Sequence, residues 1–254
     1  MAQEKSTTAQ ETNPTKLFEP REYAGADGKV LMYRLLKPLN FDPSKQYPLV
    51  IFLHGAGERG DDNVAQLKHG MQDFCTVENR DKYPCYVLAP QCPSDQKWAD
   101  VDWTKAGVEL PKETSSSLRL TLEVVDSMLK DAAVDKNRVY ITGLSMGGYG
   151  TWDALVRRPN FFAAAMPICG GGDPKTAEAI KHIPIACFHG GADTVVRPEK
   201  SRAMIEAIKA AGGEPQYTEY PGVGHDSWSQ TYSEAKNMDW LFKQRRSSPT
   251  PAQE

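Results

Sequence analysis

Gly143-Leu144-Ser145-Met146-Gly147 constrains this chain more than any other stretch. It reads G-x-S-x-G between a strand pattern and a helix pattern. Before it, Arg138-Val139-Tyr140-Ile141-Thr142 is rich in β-branched and aromatic residues. After it, residues 148–158 read as a helix halted by Pro159. Turning from strand to helix within five residues strains the backbone at the centre. Glycines two positions to either side let neighbouring backbone pass without a Cβ clash. The serine hydroxyl is thereby pushed outward at a helix N-terminus, where a nucleophile fits better than a packing residue. The pentapeptide alone could still be a Gly-rich turn, since the chain holds 20 glycines. The rest of the chain has to decide.

A serine nucleophile needs a base, and the base needs an orienting acid. On a strand–turn–helix scaffold of this kind the chain order is Ser, then Asp or Glu, then His. Of His54, His69, His182, His189 and His225, only His225 follows both the serine and a suitable acid. It lies on a Gly/Pro loop after the strand-like residues 216–220. Asp193, just past the buried-strand pattern 183–189, is the expected acid; Asp173, one strand earlier, is its rival. Asp226 is expected to point away, and Asp153 to serve packing on the helix after the serine.

The developing oxyanion needs backbone donors. Tyr47-Pro48-Leu49-Val50-Ile51-Phe52-Leu53 is a near-continuous apolar run, as expected of a strand covered on both faces. It ends in His54-Gly55-Ala56-Gly57-Glu58-Arg59-Gly60. The amides of Ala56 and Met146 are the expected oxyanion donors, with His54 and Arg59 bracing the loop.

These motifs carry a resemblance to a known family. Residues 53–63 (LHGAGERGDDN), Gly143-Leu144-Ser145-Met146-Gly147-Gly148, Gly190-Gly191-Ala192-Asp193 and Gly224-His225-Asp226-Ser227-Trp228 resemble the α/β-hydrolase serine esterases. More narrowly the chain is similar to secreted bacterial carboxylesterases labelled predicted peptidases or phospholipase/carboxylesterase-like, with feruloyl esterases nearby. The resemblance covers roughly residues 28–243. It implies an α/β-hydrolase fold, a mostly parallel central sheet with helices on both faces, and serine hydrolysis by Ser145, Asp193 and His225. It also favours export, so a secreted or periplasmic location is expected, although the chain as written opens without an apolar signal segment.

Composition fits one α/β domain: 254 residues, 40% hydrophobic and 25% charged. A net charge of −3 gives no reason to expect a nucleic acid or an anionic membrane as partner. No Cys/His spacing suggests zinc, and no cofactor is expected. Residues 1–15 and 245–254 are polar and read as disordered tails around a catalytic domain spanning 16–244. Five cysteines leave at least one free thiol; a Cys75–Cys85 bridge is possible. Expected strands cover 30–38, 47–53, 86–89, 139–142, 162–168, 185–189 and 216–220. Expected helices cover 115–133, 198–211 and 229–242. Only 15 residues link the strands ending at Cys169 and beginning at Ile185, so no lid domain is expected there.

An open cleft suits a small-molecule or polysaccharide-linked ester, acted on by a monomer. Trp98 and Trp228 are the expected substrate-binding aromatics, while Trp103 is expected to pack loops against the core. A serine peptidase and a catalytically silent polysaccharide-binding module are the other readings.

Overall fold

The apolar run Tyr47–Leu53 is buried at every position. Its Leu49, Ile51 and Leu53 join one core cluster, and its Val50 and Phe52 join another. A strand feeds two cores only inside a sheet covered on both faces. The computed structural model describes residues 11–130 and 133–246. Among these the sheet has eight strands: β1 (Glu19–Ala24), β2 (Val30–Leu36), β3 (Tyr47–Leu53), β4 (Tyr86–Pro90), β5 (Val134–Leu144), β6 (Ala164–Ile168), β7 (Ala186–Gly190) and β8 (Gln216–Tyr220). Their spatial order is β1-β2-β4-β3-β5-β6-β7-β8. Pairing is antiparallel from β1 to β2 and from β2 to β4, and parallel from there to β8. This is the mostly parallel α/β-hydrolase sheet. The chain leaves β3 for β4 on one side, then returns to β5 on the other. The loops after β3 and β5 therefore meet at a point where strand order reverses, the usual place for a ligand crevice.

Helical segments among the described residues are α1 (Pro14–Leu17), α2 (Met71–Cys75), α3 (Val77–Lys82), α4 (Ser116–Met128), α5 (Met146–Arg157), α6 (Ala177–Ile180), α7 (Glu199–Ala210), α8 (Trp228–Ser233) and α9 (Ala235–Lys243). The Ser115 hydroxyl caps α4 by accepting from Leu118 N at 3.2 Å. α4 ends before the expected residue 133, because the Ala133 carbonyl already accepts from Tyr47 N (2.7 Å) at the edge of β3. The helix expected over 229–242 is broken at Glu234, whose φ of −79° and ψ of 106° are extended. The Asn237 amide fills the break by donating to Thr231 O.

The expected tails are shorter than their composition suggests. Asn13 caps α1 by accepting from Thr15 N at 2.9 Å. Phe18 is buried, and Arg34 Nη1 donates to its carbonyl at 2.9 Å. At the other end Arg245 pairs with Asp135 at 3.0 Å, and Arg246 N donates to Asn137 O at 2.9 Å. The remaining tail residues, 1–10 and 247–254, lie outside the described residues. The possible Cys75–Cys85 bridge is absent; all five cysteines are buried free thiols. No helix among the described residues is long and apolar enough to cross a membrane.

Candidate active site

β3 and β5 lie side by side with Leu53 opposite Gly143. The segments leaving their carboxyl ends are therefore in backbone contact. A Cβ placed on Gly147 would lie 1.8 Å from Leu53 O, so only glycine fits there. Between these contacts Ser145 is held at φ 54° and ψ −116°. That conformation costs a non-glycine residue about 1–3 kcal/mol. It persists because both sides of the residue are tied down: Ser145 N donates to Ile168 O (2.9 Å), and its carbonyl accepts from Tyr149 N (3.1 Å).

Three loops then converge. His225 lies 2.9 Å from Ser145 Oγ through Nε2, and 2.7 Å from Asp193 Oδ2 through Nδ1. A carboxylate only accepts, so the ring carries its proton on Nδ1 and Nε2 is free to accept from the serine. Asp193 Oδ1 accepts from Val195 N (2.8 Å) and Val196 N (3.0 Å). His189 Nε2 stands 3.3 Å from Oδ2. Burial alone would push this carboxyl up, but hydrogen bonds from His189, His225 and the Val196 amide outweigh it and hold the group well below the usual Asp range. Asp193 is thus a fixed negative charge behind the imidazole.

Asp173 is not at the histidine; it caps the 3-10 turn Pro174–Thr176 and accepts from Leu110 N. Asp153 pairs with Arg157 at 2.8 Å, and Asp226 accepts from Ser229 at the start of α8.

Met146 is the first residue of α5, so its amide has no acceptor inside the helix. Ala56 likewise opens the 3-10 turn Ala56–Glu58. The segment carrying it is braced from several sides. Arg59 donates to Ala56 O (3.0 Å) and Gln96 O (3.3 Å). His54 donates from Nδ1 to Gly55 O (2.6 Å) and accepts at Nε2 from Cys92 N (2.9 Å).

A profile for the phospholipase/carboxylesterase family matches residues 42–238. The chain belongs to the phospholipase/carboxylesterase family. Several family-like proteins are similar to it. Carboxylesterase SOBER1 of Arabidopsis thaliana is 27% identical over 213 residues, covering 77% of this chain and 90% of that protein. An endo-1,4-beta-xylanase/feruloyl esterase of Xylanibacter ruminicola is 28% identical over 204 residues, 78% of this chain but only 27% of the larger enzyme. A solved thermostable esterase superposes with a TM-score of 0.85 at 41% identity, over 91% of this chain and 64% of that one. The chain thus spans less than two thirds of some of the proteins it matches.

In this phospholipase/carboxylesterase-family chain the expected aromatics part ways. Trp98 is a correction: it is fully buried and does not face a ligand. Its Nε1 donates to His54 O at 3.0 Å, and its ring meets the His54 ring at 5.1 Å. It braces His54, at the start of the segment that carries Ala56. Trp228 is half-buried and stands perpendicular to the His225 ring at 5.3 Å, with His69 at 5.4 Å on another side. His69 in turn lies 3.5 Å from the buried Glu58. Trp103 packs against Tyr149 (6.4 Å) under the Lys97 ammonium (4.6 Å).

Sequence reasoning did not single out His189, which reads as one more residue of a buried strand. In the long connection between β4 and α4 it singled out only the tryptophans. There Ala99, Val101 and Val108 build a small core of their own with Tyr149 of α5 and Val196 of the Asp193 loop.

His54 gives the site a pH-dependent stability. Burial pushes its imidazole down from 6.5 to about 4; the Gly55 carbonyl pulls the other way, and Arg59 adds to the decrease. The folded ring stays neutral where the unfolded chain already binds a proton. Stability is therefore full above pH 6.5 and falls as pH drops toward 4, by roughly 3 kcal/mol from this group. Urea unfolding at pH 7 and pH 4.5 should show a steeper loss for wild type than for His54→Gln. Equal losses would mean that His54 is not the titrating group.

Proposed function

We propose that the protein is a serine carboxylesterase acting on short-chain or aryl carboxylic esters, including acyl or feruloyl groups carried on carbohydrate. The observation that carries this reading is the unbroken hydrogen-bonded line from Ser145 through His225 to Asp193. In the reaction Ser145 Oγ attacks the ester carbonyl while His225 Nε2 takes its proton. Asp193 keeps the ring in the needed tautomer and stabilises the imidazolium. The amides of Ala56 and Met146 receive the oxyanion. His225 then returns the proton to the departing alcohol. A water, deprotonated by the same nitrogen, releases the acid and restores Ser145.

Support for aryl substrates comes from Trp228, whose half-buried ring walls the site beside His225. An aryl or acyl group packed there would bury apolar surface worth about 1.5–3 kcal/mol. Trp228→Ala is expected to raise KM for aryl esters about tenfold, with kcat changed much less. Unchanged KM across the aryl series would remove Trp228 from the substrate site.

The test of the function is a panel of 4-nitrophenyl esters of increasing acyl length together with methyl ferulate. Turnover that is highest on short acyl or feruloyl esters supports the proposal. A protein inert to every ester yet active on peptide amides would replace it with the peptidase reading. Polysaccharide binding with no turnover would replace it with the binding-module reading.

A further inference from the structure

Cys169 takes no part in ester hydrolysis, yet it sits against the triad. It follows β6 immediately after Ile168, whose carbonyl holds the Ser145 amide. Its φ of 40° is left-handed, a conformation in which a side chain is strained. The thiol is fully buried. Its sulfur, one nitrogen of His225 and a carboxylate oxygen of Asp193 all lie within 4.8 Å of one another. Among the described residues this is the one cluster of three such ligands. Beside it the Ser227 hydroxyl is enclosed, within reach of the thiol but without a well-formed hydrogen bond. A buried hydroxyl left in that state has hydrogen-bonding capacity to spare beside the cluster.

Thiolate, imidazole and carboxylate are together the ligand set of a thiophilic divalent cation, with Mg2+ and Ca2+ disfavoured by the sulfur. We propose that Cys169, His225 and Asp193 form an inhibitory site for Zn2+ or Cd2+, which closes the active site reversibly. Tetrahedral bonds of about 2.0–2.3 Å set ligand atoms roughly 3.5 Å apart, so the sulfur must move in while His225 and Asp193, now hydrogen-bonded at 2.7 Å, part to admit the ion. Access is through His225, the one exposed member, with 21% of its side chain open to solvent. Binding releases the thiol proton to water, moves the ring proton from Nδ1 to Nε2 so that Nδ1 offers its lone pair, and forms sulfur–metal, nitrogen–metal and oxygen–metal bonds, with no redox change. The ion takes a lone pair of His225 and displaces its partners, so the ring no longer serves Ser145.

The binding arm of this inference stands by itself; only the inhibitory arm rests on the esterase reading. The experiment titrates CdCl2 into wild type, Cys169→Ser and Cys169→Ala, following ultraviolet thiolate-to-cadmium absorption, equilibrium dialysis and 4-nitrophenyl acetate turnover. Wild type should take up one equivalent with thiolate absorption and lose turnover, and EDTA should restore it. Both variants should lack the absorption and bind at least ~100-fold more weakly, beyond what loss of a mere orienting partner costs a metal site. They should also keep turnover at cadmium levels that silence wild type. Absent thiolate absorption in wild type, or equal inhibition of wild type and variants, would overturn the site. If neither variant folds, the tetrahedral cobalt–thiolate spectrum of wild type loaded with Co2+ decides the matter alone. Cadmium bound with thiolate absorption by a protein inert to all esters would sink the esterase reading and leave the metal site standing.

Discussion

Replacing Ser145 with alanine is expected to lower kcat on 4-nitrophenyl acetate by about 10⁶-fold while leaving the fold intact. The size follows from the geometry. In the proposed mechanism His225 and Asp193 act only through the Ser145 oxygen, 2.9 Å from Nε2. Without that oxygen, base and acid have nothing to activate, and what remains comes from the oxyanion amides and substrate binding. Stability should change little. The hydroxyl makes no bond except to His225, and the backbone bonds to Ile168 and Tyr149 survive the substitution. Alanine at φ 54° is strained as serine is. Initial-rate kinetics beside a thermal melt test both halves. A drop smaller than about tenfold, with the fold retained, would exclude Ser145 as nucleophile.

Gly147→Ala should be the most damaging single methyl in the protein. The added Cβ would lie 1.8 Å from Leu53 O and 2.9 Å from His54 O. Neither neighbour is the flexible end of a side chain; both are main-chain atoms of a fully buried strand and the turn that leaves it. Relief requires β3 and α5 to separate, which opens the centre of both cores. A loss above about 4 kcal/mol is expected, or at least ~8 °C in melting temperature for a domain this size. Gly57→Ala is the matched control, because a Cβ there meets nothing within 4 Å and φ is not left-handed. It should shift stability by less than about 1 kcal/mol. Similar melting temperatures for the two variants would show that the close approach at Gly147 is not what holds the elbow.

The parts of the fold visible in the sequence are those where one force dominates. Tyr47–Leu53 is apolar throughout because both its faces are covered, and it reads correctly to the residue. That Ser145, His225 and Asp193 come together was legible because sterics and chain order leave few options. β1 was not legible. Its sequence, Glu19-Pro20-Arg21-Glu22-Tyr23-Ala24, is exposed at nearly every position, and it exists by its ladder to β2 at the sheet edge. Backbone pairing leaves no hydrophobic pattern to read. Trp98 misled for a related reason. Its polar neighbours suggested a surface loop, but the indole N–H has a buried acceptor in His54 O, which only the folded chain supplies. His189 and Cys169 read as core residues and are buried as expected. His189 stands only four residues before Asp193, but the nearness of Cys169 to Asp193 depends on β6 and β7 pairing, a long-range fact that no local window carries.

The three side chains of the proposed triad do not share one mechanical fate. Ser145 leaves a strand with neighbours on both sides, whereas the His225 loop leaves β8, which pairs with β7 alone. Rim strands open more cheaply than central ones, in excursions that stop well short of unfolding the whole chain. Each such opening would carry His225 off while Ser145 and the oxyanion segment stay in register. Catalytic competence would then vanish before the centre of the molecule melts, and the rim would set how long the enzyme lasts under mild stress.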